Sequence, residues 1–190
     1  MIITRQDLKN YLKTECYSAN GGERIRDYIL PPPNYEFIRR LRIFEYHSNA
    51  SGLYHKLMML WYYWRYYKIS VKTGISIPRN VCEKGLTLYH YGSIVVNHAT
   101  KIGRNCCIMN NVNIGANQGS SRAPQIGNDV YIGPGVVIFG DISIADGCYI
   151  GANAVVNKSI LDKNSVVVGV PAKVVGHDNM PWWQKNELKR

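Results

Sequence analysis

The sequence predicts a mainly β protein, a triangular parallel β-helix wound from six-residue repeats and preceded by an α-helical segment. Three observations carry this. β-branched aliphatics recur at every sixth position of the second half, turn-forming residues recur at a fixed offset behind them, and the first 70 residues place their apolar side chains at helical spacing. Stepping by six from Ile102 gives Ile108, Ile114, Ser120, Ile126, Ile132, Ile138, Ile144, Ile150 and Val156, a series in which only Ser120 is not aliphatic.

The other positions of the hexad agree. Glycine follows the aliphatic at Gly103, Gly115, Gly127, Gly133 and Gly151. Two or three places behind the aliphatic stand Asn105, Asn111, Asn117, Asp129, Gly135, Asp141, Gly147 and Asn153, types that tolerate positive φ or close side-chain turns, as a corner requires. Small or β-branched residues (Cys106, Val112, Val130, Val136, Ile142, Cys148, Ala154) take the fourth place. No α-helix turns once per six residues, whereas a short strand followed by a corner does. Three such strands close one coil, and successive coils stack their aliphatics at the sheet spacing of about 4.8 Å. Ser120 interrupts the series within Gln118–Gln125, so a loop is expected to leave the prism near 117–125.

Ahead of the repeat, Thr4 and Asp7 form a helix N-cap pattern with Leu8, Tyr11 and Leu12 behind it, and Gly21-Gly22 ends that element. Pro31-Pro32-Pro33 is a stiff break. Residues 34–47 and 53–69 read as two further helices. The second, with Trp61-Tyr62-Tyr63-Trp64-Arg65-Tyr66-Tyr67, is apolar nearly all round and needs cover on more than one side. Packing against another subunit and contact with an anionic membrane surface, with Lys56, Arg65 and Lys68 at phosphate level, both remain open. The expected organisation is a helical segment at 1–70, the β-helix at 71–176 and a tail at 177–190.

Composition bounds the rest. The 190 residues are 46% hydrophobic and 19% charged, which suits one packed domain with an appendage. The longest strongly apolar stretch, Leu57–Tyr63, is far below the roughly 20 residues that cross a bilayer. The charged N-terminus lacks a signal-peptide run, so a cytoplasmic location is expected, at most peripheral at the inner membrane face. Five cysteines without a CxxC pair indicate neither a disulfide framework nor a zinc knuckle, and no metal is expected. The net charge of +10 attracts acidic partners. Its tightest basic group is Arg39-Arg40-Leu41-Arg42 and the rest is scattered, with no nucleic-acid recognition motif, so nucleic acid is not the expected partner.

Of the histidines, His47 and His55 fall in the helical region, His177 in the tail, and His90 and His98 near the repeat. His90 lies within Gly85–Asn97, where the hexad register slips and a local irregularity of the coil is expected. This stretch, the hexads, the interrupted loop and the closing Gly169-Val170-Pro171-Ala172-Lys173-Val174-Val175-Gly176 together resemble the serine acetyltransferase-like branch of the left-handed β-helix acyltransferases. The likeness covers about residues 74–176, and the N-terminal helices are similar to those of short members found in bacterial polysaccharide gene clusters.

The resemblance implies left-handed coils, a homotrimer with the active site at its interfaces, and direct acyl transfer from acetyl-CoA. His90 would be the general base on an acceptor hydroxyl or amine, a role imidazole suits because it titrates near neutrality. Gly133 and Ala152 would meet the pantetheine through backbone, and Lys158 and Lys173 the phosphates. No thiol nucleophile is needed, and Cys106 and Cys148 read as core residues. Three departures bear on the acceptor. The carboxylate that orients the catalytic histidine in the family corresponds to Ile75, the Asp before that histidine to Tyr89, and a second histidine to Ala123, although the neighbouring Arg122 is kept. Tyr89, Tyr91, Asn111 and Asn113, with Arg122, form a mouth better suited to a sugar or polysaccharide precursor than to an amino acid, so O-acetylation (or N-acetylation) of a sugar is the expectation. Serine O-acetylation is the alternative. A zinc carbonic anhydrase would need three histidine ligands that the prism lacks, and an inactive trimeric scaffold or membrane-docking protein is the rival of another class.

Overall fold

The structure is a computed structural model and describes residues 1–20 and 31–179. The Gly21-Gly22 helix stop and the tail beyond residue 179 lie outside the described residues. The strands are β1 (Ile75–Ser76), β2 (Thr87–Leu88), β3 (Ile94–Val96), β4 (Lys101–Ile102), β5 (Cys107–Ile108), β6 (Val112–Gly115), β7 (Gln125–Ile126), β8 (Tyr131–Ile132), β9 (Val137–Phe139), β10 (Ser143–Ile144), β11 (Tyr149–Ile150), β12 (Val155–Val156), β13 (Ser165–Val168) and β14 (Lys173–His177). They form three sheets. The first face of the prism is β1-β3-β6-β9-β12, the second β4-β7-β10, and the third β2-β5-β8-β11-β13, closed by antiparallel β14. The chain visits third, first and second face in fixed rotation, and strands along each face pair in parallel up to β14.

The pairing register shows where the repeat is regular. Ile126 pairs with Ile144, Ile132 with Ile150 and Ile138 with Val156, each eighteen residues on, which is three hexads. One coil is longer on all three faces: Ile102 pairs with Ile126, Ile108 with Ile132 and Ile114 with Ile138, each 24 residues on. One whole hexad therefore stands outside the prism between β6 and β7. The second irregularity is smaller. Leu88 pairs with Ile108, twenty residues on, while Ile94 pairs with Val112, eighteen on. The corner between β2 and β3 is thus two residues longer than the corner beneath it, and His90 lies in it.

Inward aliphatics fill the prism: Ile108, Ile132, Ile138 and Ile150 are completely buried, and Ile102, Ile114, Ile126, Ile144 and Val156 nearly so. Two columns of left-handed residues make two of the three edges. Asn105, Asp129, Gly147 and Asn164 stack between second and third faces, and Asn111, Gly135 and Asn153 between third and first, all with φ between 54° and 72°. Asn tolerates this region because its short amide bonds locally, and Asn105 Nδ2 donates to Asp129 Oδ1 at 3.1 Å. Asn117 and Asp141, expected in the same role, do not take it. Asn117 lies in the extruded loop, and Gly140, at φ 100°, makes the turn beside Asp141.

Three helices precede the prism: α1 (Arg5–Asn20), α2 (Pro33–Asn49) and α3 (Leu53–Thr73). α1 starts on a reciprocal cap, with Thr4 N donating to Asp7 Oδ2 and Asp7 N to Thr4 Oγ1. Pro33 opens α2, where its missing N–H costs nothing. Gly74, at φ 72°, closes α3 and turns the chain into β1. Tyr66 of α3 packs its ring on Phe37 and Phe44 of α2 and donates its hydroxyl to Ile77 O.

A buried ion cluster fixes the helices to the prism. Arg42 of α2 is fully buried and donates to Glu15 Oε1, Glu45 Oε2, Cys82 O and Glu83 O, at 2.6–2.9 Å. Glu45 also accepts the Asn80 N–H through Oε1, whereas Glu15 Oε2 has no hydrogen bond among the described residues. One guanidinium faces two carboxylates, and Glu15 is the less satisfied. Burial pushes its carboxyl up to about 7 against the pull of Arg42.

Candidate active site

The prism edge between third and first faces carries most of the residues expected to act. From one end to the other it runs through the corners Tyr89–Ser93, Met109–Asn111, Gly133–Gly135, Gly151–Asn153 and Val168–Val170. His90 is exposed in the first, Asn111 in the second, Gly133 lies in the third and exposed Ala152 in the fourth. Exposed Lys173 opens β14 opposite Val168, beside the fifth. Four coil steps of about 4.8 Å separate first from last, a groove of about 19 Å.

The His90 corner is held from outside the prism. Gly92 N donates to Thr73 O at 2.9 Å and Ile94 N to Gly74 O at 3.1 Å, so the end of α3 anchors its C-terminal side. On the other side Asn34, in the first turn of α2 and nearly buried, donates Nδ2 to Leu88 O and, at 3.4 Å, to Tyr89 O. A side chain at Gly92 would be strained at φ 135°, and one at Gly74 would meet the Gly92 backbone at 3.3 Å. Among the described residues the backbone N–H groups of His90, Tyr91 and Ser93 make no backbone hydrogen bond and are left as spare donors in this corner.

The remaining expected residues divide. Tyr91 is 62% exposed beside His90. Tyr89 is half-buried; two coils along the same face, the Tyr131 ring stacks on Tyr149 at 4.4 Å and 5° on the outside of the third face. This aromatic wall was not anticipated, although Tyr131 and Tyr149 occupy the same hexad position eighteen residues apart. Asn113 is exposed on the first face in β6 rather than at the edge. Arg122 and Lys158 stand on a different edge, between first and second faces. There Arg122 Nη1 pairs with Asp141 Oδ2 at 2.9 Å, both side chains being largely exposed, and Lys158 is exposed in the corner after β12. Within one chain neither meets His90.

The structure adds to two expectations. Ile75, matched to the orienting carboxylate, is completely buried and points into the prism; the outward residue of β1 is Ser76, which is exposed. A one-residue shift exchanges the two faces of a strand, so Ser76 is the position from which a side chain could reach the surface. Gly133 was expected to be glycine for close approach of a ligand. A Cβ there would lie 2.8 Å from Ile150 O and 2.9 Å from Ala152 N, so stacking of the next coil already demands glycine. Ala123 is buried where the loop 116–124 rejoins the prism.

Cys106 and Cys148 are fully buried, and burial pushes both thiols up, Cys106 to about 12. Among the described residues no group of three His, Cys, Asp or Glu could hold a metal ion, and no helix is long and apolar enough to cross a membrane. A cavity of about 400 Å³ lined by Ile2, Tyr11, Asn80 and Gly127 lies against the second face, away from His90, and contains no histidine.

The six-repeat bacterial transferase hexapeptide signature matches residues 123–158. Over 109 residues the chain is 35% identical to the serine acetyltransferase of Mycobacterium tuberculosis, covering 56% of this chain and 47% of that one. It is 37% identical over 109 residues to the serine acetyltransferase of Helicobacter pylori, covering 56% and 63%. The chain thus spans about half the length of the curated relatives it matches. Among solved structures, that of the Brucella abortus serine acetyltransferase in complex with coenzyme A superposes with a TM-score of 0.72 at 26% identity, covering 92% of this chain and 70% of that one. The fold of this chain is the left-handed parallel β-helix of hexapeptide repeats, with an N-terminal helical segment, that serine acetyltransferases share.

Proposed function

We propose that the chain is an acetyl-CoA-dependent O-acetyltransferase of the serine acetyltransferase type, with His90 as general base. The observation that supports it most is the single exposed edge that lines up His90, Asn111, Ala152 and Lys173. That edge suits an extended acyl donor. Its floor is backbone, the Ala152 N–H makes no backbone hydrogen bond among the described residues, and a cation stands at the far end. A thioester at His90 then leaves the nucleotide phosphates near Lys173, with Lys158 supplied from the neighbouring edge.

In the reaction, His90 takes the proton of the acceptor hydroxyl as its oxygen attacks the thioester carbonyl. The negative charge on that carbonyl oxygen is met by the spare N–H groups of the His90 corner. The carbon–sulfur bond breaks, the departing sulfur regains the proton from the imidazolium, and an acetyl ester and free CoA result. The imidazole has no hydrogen bond to the described residues of its own chain, and Arg122 lies on another edge, which supports a homotrimer. In it the loop 116–124, which leaves one prism by a whole hexad, completes the site against the His90 edge of the next.

For the acceptor, the relatives favour L-serine, and the expectation of a sugar finds no support among them. One observation still favours a sugar hydroxyl as the second reading. Among the described residues no carboxylate lies on the His90 edge to hold an ammonium group. The test is release of CoA thiol from acetyl-CoA with L-serine and a panel of hexoses and nucleotide sugars. Serine-dependent release is expected; release with a sugar and none with serine would reverse the order, and silence on all would overturn acetyl transfer to either class.

A further inference from the structure

Helix α3 presents a face that no described residue covers. Leu53, Leu57, Leu60, Trp64, Tyr67 and Val71 recur at three- and four-residue spacing and are each 47–73% exposed. At 21 residues the helix is about 31 Å long, so the stripe is a continuous apolar strip on the surface. Its margins are cationic. Lys56 flanks it on one side and Lys68 and Lys72 on the other, and Lys68 Nζ sits 4.1 Å above the Trp64 ring. The helix contains no acidic residue.

We infer that this face docks on an anionic lipid surface, its apolar strip entering the boundary between headgroups and chains and its three lysines pairing with lipid phosphates. The charge pattern selects this occupant. A second copy laid strip to strip would set lysines against lysines with no carboxylate on either helix. A bilayer with anionic headgroups offers hydrocarbon to the strip and phosphate to both margins. The opposite face of α3 is already occupied, with Tyr66 and Ile69 in the core, so the helix lies on the surface and does not cross it. Its C-terminal end carries the Thr73 and Gly74 carbonyls that hold the His90 corner, so docking places that corner beside the membrane. The inference stands apart from the reaction assigned above.

Flotation of the full chain with vesicles tests it, using equal parts phosphatidylglycerol and phosphatidylcholine against phosphatidylcholine alone, at 50 and 500 mM salt. Binding to the anionic vesicles is expected, weakened by salt. A Lys56→Glu/Lys68→Glu/Lys72→Glu variant should bind about 100-fold more weakly with unchanged melting temperature and mass in solution, since all three side chains are exposed. Leu57→Asp/Leu60→Asp should abolish binding at either salt. Equal partition onto both vesicle types, or undiminished binding by the lysine variant, would overturn the inference. So would a fall in oligomeric mass of Leu57→Asp/Leu60→Asp without vesicle binding by the wild type, which would make a second copy the occupant.

Discussion

Of the corners that depart from the period of the repeat, the His90 corner and the loop 116–124 carry extra residues and are built in opposite ways. At the His90 corner two extra residues are clamped on both sides, by Asn34 from α2 and by the Thr73 and Gly74 carbonyls from the end of α3. At the loop 116–124 six extra residues leave the prism, and residues 117–122 are exposed. There the Arg122–Asp141 pair and turn bonds such as Ser120 N to Asn117 O are what tie it down. The general base proposed at His90 would have to be held within a fraction of an ångström of the proton it takes, whereas a loop proposed to complete the acceptor site gains from reach. The difference teaches why the chain has a helical segment at all: a bare prism could form the loop, but the His90 corner depends on the helices.

The comparison breaks most severely at Arg42. Arg42→Ala would leave Glu15 and Glu45 facing each other, buried, with the Cys82 and Glu83 carbonyls unpaired, and should destabilise the chain by about 3–5 kcal/mol in denaturant unfolding. Activity should fall with it, because α2 also carries Asn34. Asn34→Ala is the sharper probe. It strands a buried carbonyl at a cost of about 1–3 kcal/mol, and as a positioning change it should lower kcat several-fold while leaving the KM for acetyl-CoA nearly unchanged. A fall in stability with kcat intact would reduce Asn34 to a structural role.

Glu15 gives a pH signature of the same clamp. Burial raises its carboxyl from the ordinary 4.5 to about 7 in the folded chain, so the folded state binds more protons across that window. Its contribution to stability is therefore fully present below about 4.5 and is lost as pH rises through about 7. Glu15→Gln should flatten that part of the profile relative to wild type in urea titrations. The smallest effect is expected at the loop, where Asp141→Asn removes an exposed pair and should change stability by less than about 1 kcal/mol. An equal loss at Asp141 and Asn34 would erase the contrast between the two corners.

The prism was legible because each inward aliphatic repeats the same local problem, so a single period describes every coil. Ser120 and the register slip before Ile94 were legible as breaks in that period, and both proved to be real insertions in the pairing register. Asn34 was not legible, since its partner at Leu88 lies 54 residues further along the chain and no local pattern links them. The burial of Ile75 was not legible because β1 lies before the clean repeat, where the hexad no longer says which residue faces inward. The exposed strip of α3 was hidden by composition: a helix apolar nearly all round does not reveal which half the fold will cover. Lys158 and Arg122 stood close to the other site residues in motif but lie on a separate edge of the folded chain, because each corner moves the chain to a new face.

The measurement that bears most directly on the central claim is CoA release by wild type and His90→Ala in parallel, with L-serine and the sugar panel as acceptors, alongside a melting curve of each. His90 is exposed and outside the core, so the variant should melt like wild type while turnover on the accepted substrate falls at least about 100-fold. Turnover within a few-fold of wild type in a folded His90→Ala variant would contradict the account and move the base away from this corner.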